Sequence, residues 1–409
     1  LVKDIVKIVD TCEVCNSTHL REILNLGEQP LCDDLIEIGS NNVNHRYPIV
    51  VLYCDNCNTA HQKFQISREV LFPSNYHYRA GLTKDVLSGM RDFVSECEIR
   101  IGSLKGKKVI DIGCNDGSLL GYFKQKGAIT IGVEPTDAIN DSDNRIDFMI
   151  NDYFNINTAS NIFEEHGYPD IISFTNVFAH IDDLHSLIKA VKRIVGKKTI
   201  LVIENHYLGS VIEGMQFDTF YHEHPRTYSI QSFIHISSSL GLTLNDVQLP
   251  KRYGGNIRVF MSNQGVLNTK KGNVLAALDK ENNILKNIDN MANYIVSWKE
   301  DTIKKISDLN DSNLKIAAKA FPARASIIIN YLGLDENDIS AVIEQPNSKK
   351  VGLKVPGTNI PIVGSSDFDQ YDVLINLAWH INDEIKNYLE EASFNGDLFA
   401  ILPKFKKIN

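Results

Sequence analysis

The sequence predicts an α/β protein with a doubly wound parallel sheet in its central part. From residue 107 onward, short apolar segments such as VIDIG and AITIGVEP alternate with helix-length segments, which is typical of parallel strands joined by helices. A similar alternation returns near the end of the chain, in IAAKAFPARASIIINYLG and VLINLAW. Residues 1–70 instead combine strand-like runs with paired cysteines and show little helical periodicity.

The 409 residues exceed what one hydrophobic core normally accommodates, so we predict three domains. Their predicted ranges are 1–75, 76–245 and 246–409, and the last includes a long amphipathic connector over residues 272–306. The net charge of −9 argues against a general nucleic-acid binder. Neither an apolar stretch of transmembrane length nor a signal-peptide pattern occurs. We therefore expect a cytoplasmic protein without nucleic-acid or membrane partners, present as a monomer or a weak homodimer.

Four of the seven cysteines form two pairs, Cys12-x-x-Cys15 and Cys54-x-x-Cys57. Each pair places two thiolates on one tight turn, and two pairs complete the four-sulfur cage that tetrahedral Zn²⁺ prefers. A closed site of this kind has no open coordination position, so we predict a structural Zn²⁺ in an N-terminal zinc-binding domain. Four buried free thiols are the alternative.

The first strand of the central region runs into a glycine-rich turn, DIGCNDGS, and the next strand ends in GVEP. Glycines let the backbone approach a ligand closely, and a carboxylate about twenty residues further on suits ribose hydroxyls. The turn lacks the Gly-x-Gly-x-x-Gly spacing that receives a pyrophosphate. Its acidic opening suits the cationic sulfonium of S-adenosylmethionine (SAM). A related turn that serves another cofactor, or none, is the alternative.

These two segments resemble the first and second motifs of class I SAM methyltransferases. The resemblance implies that the turn lines the methionine end of SAM, that Glu134 holds the ribose and that Asp152 lies near the adenine. The predicted cofactor-binding residues are Asp111, Gly113, Asn115, Gly117, Ser118, Glu134, Asp152 and Asn176.

The run Tyr221-His222-Glu223-His224 concentrates more proton-transferring groups than any other four positions. On a strand the two histidines would share one face, whereas in a loop all four side chains can converge. The spacing differs from His-Glu-x-x-His, so we do not expect a metalloprotease-like zinc site. A polar turn ahead of a helix is the alternative.

A longer series of segments resembles the sugar C-methyltransferase family of deoxysugar pathways, nearly from end to end. The segments are CEVC, LNLGEQPL, CDNC, NYHYRAG, DIGCNDGSLL, GVEP, NVFAHIDD, IENHYL, FDTFYHEHPRTYS, YGGNIRVF, VPGTNIPI and NLAWHI. The resemblance implies a zinc-binding domain, a class I SAM methyltransferase domain and a C-terminal Rossmann-like αβ domain that binds a nucleotide sugar. It also implies methylation of C3 of a nucleotide-linked 4-keto-deoxysugar through an enolate.

Within that reaction the resemblance makes His224 the general base, because imidazole titrates near neutrality, and Glu223 its orienting partner. Hydrogen bonds to the sugar or its enolate are expected from Tyr221, His180, Tyr76 and Tyr78. A buried core role remains the alternative for His180, and packing alone remains so for either of the two last tyrosines. We expect His222 to support structure and His206 to lie behind the reacting groups.

Two segments depart from the family's pattern. Where the family commonly has His-Gly-Gly-Ser-Leu-Arg, this chain has YGGNIR, and its AKAFPARA replaces a glycine-rich Gly-Tyr-Gly-Ala-Pro-Ala-Lys-Gly. Arg324 keeps the positive charge of the family's lysine and suits a phosphate. The predicted substrate-binding residues are Arg258, Arg324, Lys350 and Asn256. The departures bear on the nucleotide and the sugar, and leave open O- or N-methylation of a related sugar nucleotide or a non-catalytic scaffold.

Overall fold

A computed structural model describes residues 5–72, 79–82, 84–365 and 368–409. The N-terminal elements are β1 (Val6–Ile8), β2 (Leu20–Pro30), β3 (Ile36–Glu37), β4 (Arg46–Cys54), β5 (Thr59–Gln62), β6 (Phe64–Ile66) and α1 (Arg68–Leu71). β2, β4 and β5 form an antiparallel sheet, and β1 pairs with β6. This agrees with the predicted succession of short strands and turns.

The central region carries a seven-stranded, mostly parallel sheet. Its elements are α2 (Lys84–Ile101), β7 (Lys108–Ile112), α3 (Ser118–Gln125), β8 (Ile129–Val133), β9 (Phe148–Ile150), α4 (Ile156–His166), β10 (Ile171–Thr175), α5 (Leu184–Ile194), β11 (Ile200–His206), α6 (Leu208–Glu213), β12 (Arg226–Thr227), α7 (Ile230–Leu240), β13 (Thr243–Gln248) and β14 (Asn256–Ser262). Short 3-10 helices cover Ala80–Leu82, Asp137–Ser142, Phe178–His180, Phe217–Thr219 and Arg252–Gly254.

The seven strands lie in the order β13-β14-β11-β10-β7-β8-β9. β7 to β11 are parallel, and β14 runs antiparallel to both β11 and β13. The parallel strands therefore follow the doubly wound order 3-2-1-4-5, and the chain reverses direction across the sheet between β7 and β10. Ligands of such sheets bind in the crevice at the carboxyl ends of the strands at this reversal.

The apolar patterns explain these elements. β10 and β11 are buried along almost their whole length, as strands covered on both faces must be. In α5 the buried positions recur at helical spacing, and the helix begins where the Asp183 side chain accepts a hydrogen bond from the Ser186 N–H. The sheet continues to Ser262, past residue 245 where we placed the boundary, because β13 and β14 pair with each other and with β11. We therefore propose that the methyltransferase domain ends after β14.

The C-terminal region forms a second αβ unit. Its elements are α8 (Lys271–Leu285), α9 (Asn290–Asp311), β15 (Ile316–Lys319), α10 (Ala325–Leu332), β16 (Val342–Glu344), β17 (Leu353–Lys354), β18 (Ile362–Gly364), β19 (Val373–Asn376), a 3-10 helix (Trp379–Ile381), α11 (Asn382–Glu391), β20 (Asp397–Ala400) and β21 (Lys406–Lys407). The strand order β18-β16-β15-β19-β20-β21 repeats the doubly wound pattern, with β21 antiparallel. α8 and α9 form the predicted amphipathic connector.

Two strand pairings join the regions. β12, which begins just after the Tyr-His-Glu-His run, is not part of the central sheet. It pairs with β5 of the N-terminal sheet. β17 of the C-terminal region pairs with β3. Every helix in the described ranges is too short or too polar to cross a lipid bilayer.

Candidate active site and metal site

The four paired cysteines converge as predicted. Cys12 and Cys15 occupy the turn after β1, whereas Cys54 ends β4 and Cys57 lies in the turn before β5. Their sulfurs lie within 4.8 Å of one another, with 3.4 Å between Cys12 and Cys57 and 3.6 Å between Cys15 and Cys54. Tetrahedral Zn–S bonds of about 2.3 Å require sulfurs about 3.8 Å apart, so the residues fit Zn²⁺. No other group of this kind occurs in the part of the chain that the structure describes.

Glu13, between the first two cysteines, forms a buried ion pair with Arg226. Arg226 also donates to the main-chain carbonyls of Ile181 and Asp182, directly after His180. Burial by itself would raise the pKa of Glu13, but Arg226 and neighbouring donors hold it well below its ordinary value. Through Arg226, the turn that carries Cys12 and Cys15 is therefore connected to the loop that carries His180.

The glycine-rich turn after β7 adopts left-handed backbone at Gly113, Asn115 and Gly117, with φ of 71°, 50° and 71°. A Cβ at Gly113 would lie 2.5 Å from the Val177 side chain. Only glycine therefore lets this turn lie against the loop that follows β10. The turn therefore lies at the carboxyl end of β7, next to β10, where the strand order reverses.

Carboxylates concentrate behind this turn. Asp111 accepts a hydrogen bond from the Ser173 hydroxyl at 2.7 Å, and burial raises the pKa of Asp111 to about 7, with a further contribution from Glu134. Glu134, at the end of β8, accepts from the N–H of Asn115 at 3.0 Å. Two buried carboxylates beside this turn favour a cationic ligand. This donor set fits SAM.

The other predicted cofactor residues lie at the same edge of the sheet. Ser118 opens α3, and its hydroxyl accepts a hydrogen bond from Arg145 at 3.0 Å. Asp152 follows β9 and is exposed. Asn176 follows β10 with a φ of 55°, and its side-chain oxygen accepts from Asn256 at 3.2 Å. Asn256 thus reaches the cofactor crevice from β14.

Tyr76 and Tyr78 lie outside the described residues. The segment that follows them is held against the cofactor turn, because the Gly81 N–H donates to the Asp116 carboxylate at 2.7 Å.

His224 lies in the loop between α6 and β12, with a side chain held in one tautomer. Its Nδ1 lies 2.9 Å from the carbonyl oxygen of Thr219. A carbonyl oxygen only accepts hydrogen bonds, so Nδ1 carries the proton and Nε2 has a free lone pair. Burial lowers the pKa of His224 well below 6.5, and His180 and His206 lower it further. The imidazole is therefore neutral at neutral pH.

Three histidines form a cluster at the carboxyl edge of the sheet. The ring centroid of His224 lies 4.9 Å from that of His180, which follows β10, and 5.1 Å from that of His206, which ends β11. Nδ1 of His180 lies 2.7 Å from the carbonyl oxygen of Glu223, and the Asn176 backbone also contacts the ring. Burial lowers the pKa of His180 to about 4.

The remaining members of the Tyr-His-Glu-His run diverge. Tyr221 lies beside His224, with 4.2 Å between the two ring centroids. Burial raises the pKa of Tyr221, and the Glu223 carboxylate adds to the effect, so the phenol stays protonated. His222 points away from the cluster and contacts the carbonyl oxygen of Tyr47 at 3.1 Å, which agrees with a structural role.

The C-terminal region closes the other side of the cluster. Arg324 precedes α10 and lies 3.4 Å from the Asp218 carboxylate and 3.1 Å from the Thr219 hydroxyl. It also donates to Nδ1 of His380 at 3.1 Å. Trp379 donates its indole N–H to Asp218 at 2.9 Å.

Two predicted substrate-binding residues, both considered for the phosphates of the nucleotide, have internal partners. Arg258 is 1% exposed and pairs with Glu204 at 2.6 Å and Asp92 at 2.9 Å. Its charge neutralises a buried carboxylate on the neighbouring strand, so we no longer propose it as a phosphate contact. Lys350 donates to the carbonyl oxygen of Phe321 at 2.9 Å, in the loop between β15 and α10.

Sequence reasoning assigned no role to Asp218, Thr219 or His380. Asp218 and Thr219 are buried polar residues just upstream of the Tyr-His-Glu-His run, and His380 lies in the 3-10 helix Trp379–Ile381 that follows β19. A polar residue in the segment that follows a parallel strand is the signal that could have indicated His380.

Three protein-family models match successive parts of the chain. They describe a zinc binding domain (residues 12–72), a methyltransferase domain (83–247) and a C-methyltransferase C-terminal domain (251–403). Together with the doubly wound sheet and the four-cysteine site, they define a SAM-dependent C-methyltransferase with a structural zinc site. In its order of domains, and in the match of its C-terminal part, the chain is similar to C-methyltransferases.

A relative of similar length supports the assignment. The chain is 26% identical to the C-methyltransferase NovU of Streptomyces niveus over 413 residues, which covers 98% of this chain and 97% of that protein.

Solved structures that resemble parts of the chain are more distant. One is magnesium protoporphyrin IX methyltransferase of Synechocystis PCC 6803 with bound SAH, at 13% identity and a TM-score of 0.34, covering 44% of this chain and 83% of that one. Another is the PH0226 protein of Pyrococcus horikoshii OT3, at 12% identity and a TM-score of 0.36, covering 48% and 98%.

Proposed function

We propose that this C-methyltransferase transfers a methyl group to C3 of a nucleotide-linked 4-keto-deoxysugar, with His224 as the base that forms the enolate. The observation that carries the proposal is the tautomer of His224. Its Nδ1–H is committed to the Thr219 carbonyl oxygen, and the lone pair of Nε2 is available. The low pKa of the buried imidazole keeps that lone pair unprotonated at working pH.

Deprotonation beside a ketone needs a positioned base and stabilisation of the enolate oxygen. The C3–H bond breaks, the proton passes to Nε2 of His224, and the electron pair moves into the C4 carbonyl to give the enolate. Tyr221 is the nearest protonated donor to the base. Arg324 is close enough for its charge to act on His224, and a positive charge near the acceptor favours an oxyanion.

Carbon–carbon bond formation follows. SAM, when bound, supplies an electrophilic methyl group on a sulfonium. Gly113 and Glu134 would hold it at the turn after β7, and the Asn176 backbone contacts His180 of the histidine cluster. Such orientation supplies much of the lowering of the barrier in a bimolecular transfer. After transfer, the proton on Nε2 returns to solvent.

The C-terminal domain would hold the nucleotide. Its parallel sheet reverses between β15 and β19, and both the loop before α10 and the residues after β19 lie at this position. Lys350 is attached to that loop through Phe321 and remains the proposed phosphate contact.

Product analysis tests the proposal. The protein is incubated with nucleotide 4-keto-deoxysugars and SAM that carries a ¹³C-labelled methyl group, and the product is examined by NMR. We expect the label in a methyl group bonded to C3, with long-range ¹H–¹³C correlations from the methyl protons to C3 and to the C4 carbonyl carbon. A label on oxygen or nitrogen would overturn C-methylation of this acceptor and favour O- or N-methylation by the same base.

A further inference from the structure

Arg324 has internal partners for most of its donors. Its side chain contacts the Asp218 carboxylate, the Thr219 hydroxyl, the carbonyl oxygen of Tyr253 at 3.4 Å and Nδ1 of His380. Arg324 is only 6% exposed. A guanidinium this engaged has little capacity left for a phosphate, since bidentate binding needs two free N–H groups side by side.

One of these partners is the residue that holds the base. Thr219 accepts from Arg324 through its hydroxyl at 3.1 Å and from His224 through its carbonyl at 2.9 Å. It ends the short 3-10 helix Phe217–Thr219, in which all three residues are buried. The preceding Asp218 is held by both Arg324 and Trp379. The C-terminal domain therefore fixes this helix by two side chains.

We infer that Arg324 is a positioning residue for His224, which acts from the C-terminal domain through Thr219 to keep Nε2 of the base aimed at the acceptor. The inference rests on the proposed function, because it takes His224 as the base. It assigns Arg324 a role in proton transfer in place of the predicted phosphate contact.

Electrostatics support the same connection. Burial is the largest cause of the lowered pKa of His224, followed by His180 and His206, while Arg324 adds to the shift and the Thr219 carbonyl opposes it. The titratable and charged groups near His224 are His180 after β10, His206 on β11, Tyr221 and Glu223 in its own loop, and Arg324 with its partners Asp218 and His380 from the opposite side.

The positive charge of Arg324 affects the pH at which His224 loses its activity as a base. His224 acts as a base only when neutral, so the rate falls as pH falls through its pKa. A positive charge nearby lowers that pKa. Removing the charge of Arg324 therefore raises the pKa of His224 and moves the acid limb of the pH–rate profile to higher pH.

Three variants separate the charge of Arg324 from its geometry. Arg324→Gln removes both, whereas Arg324→Lys keeps the charge but cannot reach all four partners at once. Thr219→Val removes the hydroxyl and keeps both the carbonyl and Arg324. SAM binding and thermal unfolding of each variant report whether the protein is folded.

The experiment measures kcat, KM for the nucleotide sugar, and the pH profile of kcat/KM. We expect Arg324→Gln to lower kcat about 10- to 100-fold, as misplaced catalytic groups do, and to move the acid limb upward. Arg324→Lys and Thr219→Val should lower kcat without moving the limb. A raised KM with unchanged kcat and pH profile in Arg324→Gln would overturn the inference and restore the phosphate contact.

Two further measurements distinguish misfolding of Arg324→Gln, and failure of the proposed function, from failure of the inference about Arg324. If Arg324→Gln does not fold, an unchanged kcat in the folded Thr219→Val protein overturns the inference. If His224→Asn keeps full activity, the proposed function itself fails, and this outcome is distinct from any result with Arg324.

Discussion

The carbonyl oxygen of Thr219 lies 2.9 Å from Nδ1 of His224, and this contact distinguishes the two histidines of the Tyr-His-Glu-His run. It leaves Nε2 of His224 unprotonated beside His180 and His206. His222, two residues earlier, is held by Tyr47 of the N-terminal sheet. The loop therefore places His224 in the histidine cluster at the carboxyl edge of the central sheet. It places His222 against the N-terminal sheet.

Replacing the base while keeping its hydrogen bond is the first prediction. In His224→Asn the amide N–H can still donate to the Thr219 carbonyl, but no group remains to accept the C3 proton. We expect methylation to fall by about 10²- to 10⁴-fold, the range typical of general-base removal. SAM binding should stay close to the wild-type value. His45→Ala, at an exposed position, is the matched control and should keep full activity; activity within threefold of wild type in His224→Asn would place the base elsewhere.

Loss of the zinc site should destabilise the protein. Metal analysis should find one zinc per chain in the wild type, and Cys54→Ser should lower both the zinc content and the melting temperature, because metal binding stabilises only the folded site. Cys97→Ser changes a buried cysteine outside the cluster and should leave the zinc content unchanged. Full zinc content in Cys54→Ser would contradict the four-sulfur site.

The Glu13–Arg226 pair should matter for stability. Arg226 is fully buried, so Glu13→Gln leaves its charge without a carboxylate and should cost about 3–5 kcal/mol of unfolding free energy. The folded-state pKa of Glu13 is depressed, so its stabilisation is present above the unfolded pKa and is lost as pH falls through the folded value. Denaturant unfolding at neutral and acidic pH measures both effects. Equal stability of Glu13→Gln and wild type at neutral pH would show that the pair contributes little.

The buried histidines predict a second pH dependence of stability. Burial lowers the pKa of His180 and His222 to about 4, so the unfolded chain binds more protons than the folded one below pH 6.5. Stability should therefore fall as pH drops from 6.5 towards 4, by up to about 1.4 kcal/mol per pH unit for each histidine. Urea unfolding at successive pH values checks this, and a flat profile between pH 6.5 and 5 would contradict it.

Arg258 should behave as a structural residue. Both it and Glu204 are buried, and Arg258→Ala leaves Glu204 with Arg252, at 3.3 Å, as its remaining cationic partner. The variant should therefore cost about 3 kcal/mol, the lower end of the range for a broken buried ion pair. Thermal or denaturant unfolding measures the loss. Unchanged stability together with a higher KM for the nucleotide sugar would return Arg258 to the phosphate site.

Much of the architecture could be predicted from the sequence because short segments of the chain determine it. The strand–turn–helix at DIGCNDGS and the two cysteine pairs each lie within a few residues and have strong conformational preferences. The end of the central sheet could not be predicted in this way. β14 joins it by long-range antiparallel pairing, which no local pattern announces.

In the candidate site, too, the motif residues could be predicted from the sequence but their distant partners could not. His224 and His180 could be proposed from their motifs, but the partners that fix them lie far away in sequence. Arg324 is 100 residues beyond His224 and Arg258 sits opposite Glu204, so their roles depend on packing between strands and domains. The sequence around a charged residue such as Arg258 does not show whether that residue binds a phosphate of the ligand or a buried carboxylate of the protein.

The most direct test of the enolate mechanism is proton exchange without a methyl donor. Nucleotide 4-keto-deoxysugars are incubated with the protein in deuterated water, and C3 is followed by NMR. We expect deuterium to enter at C3 with the wild type and not with His224→Asn. Failure of deuterium to enter C3 of any acceptor, while a labelled methyl group is still transferred to that carbon, would contradict base-generated enolate formation.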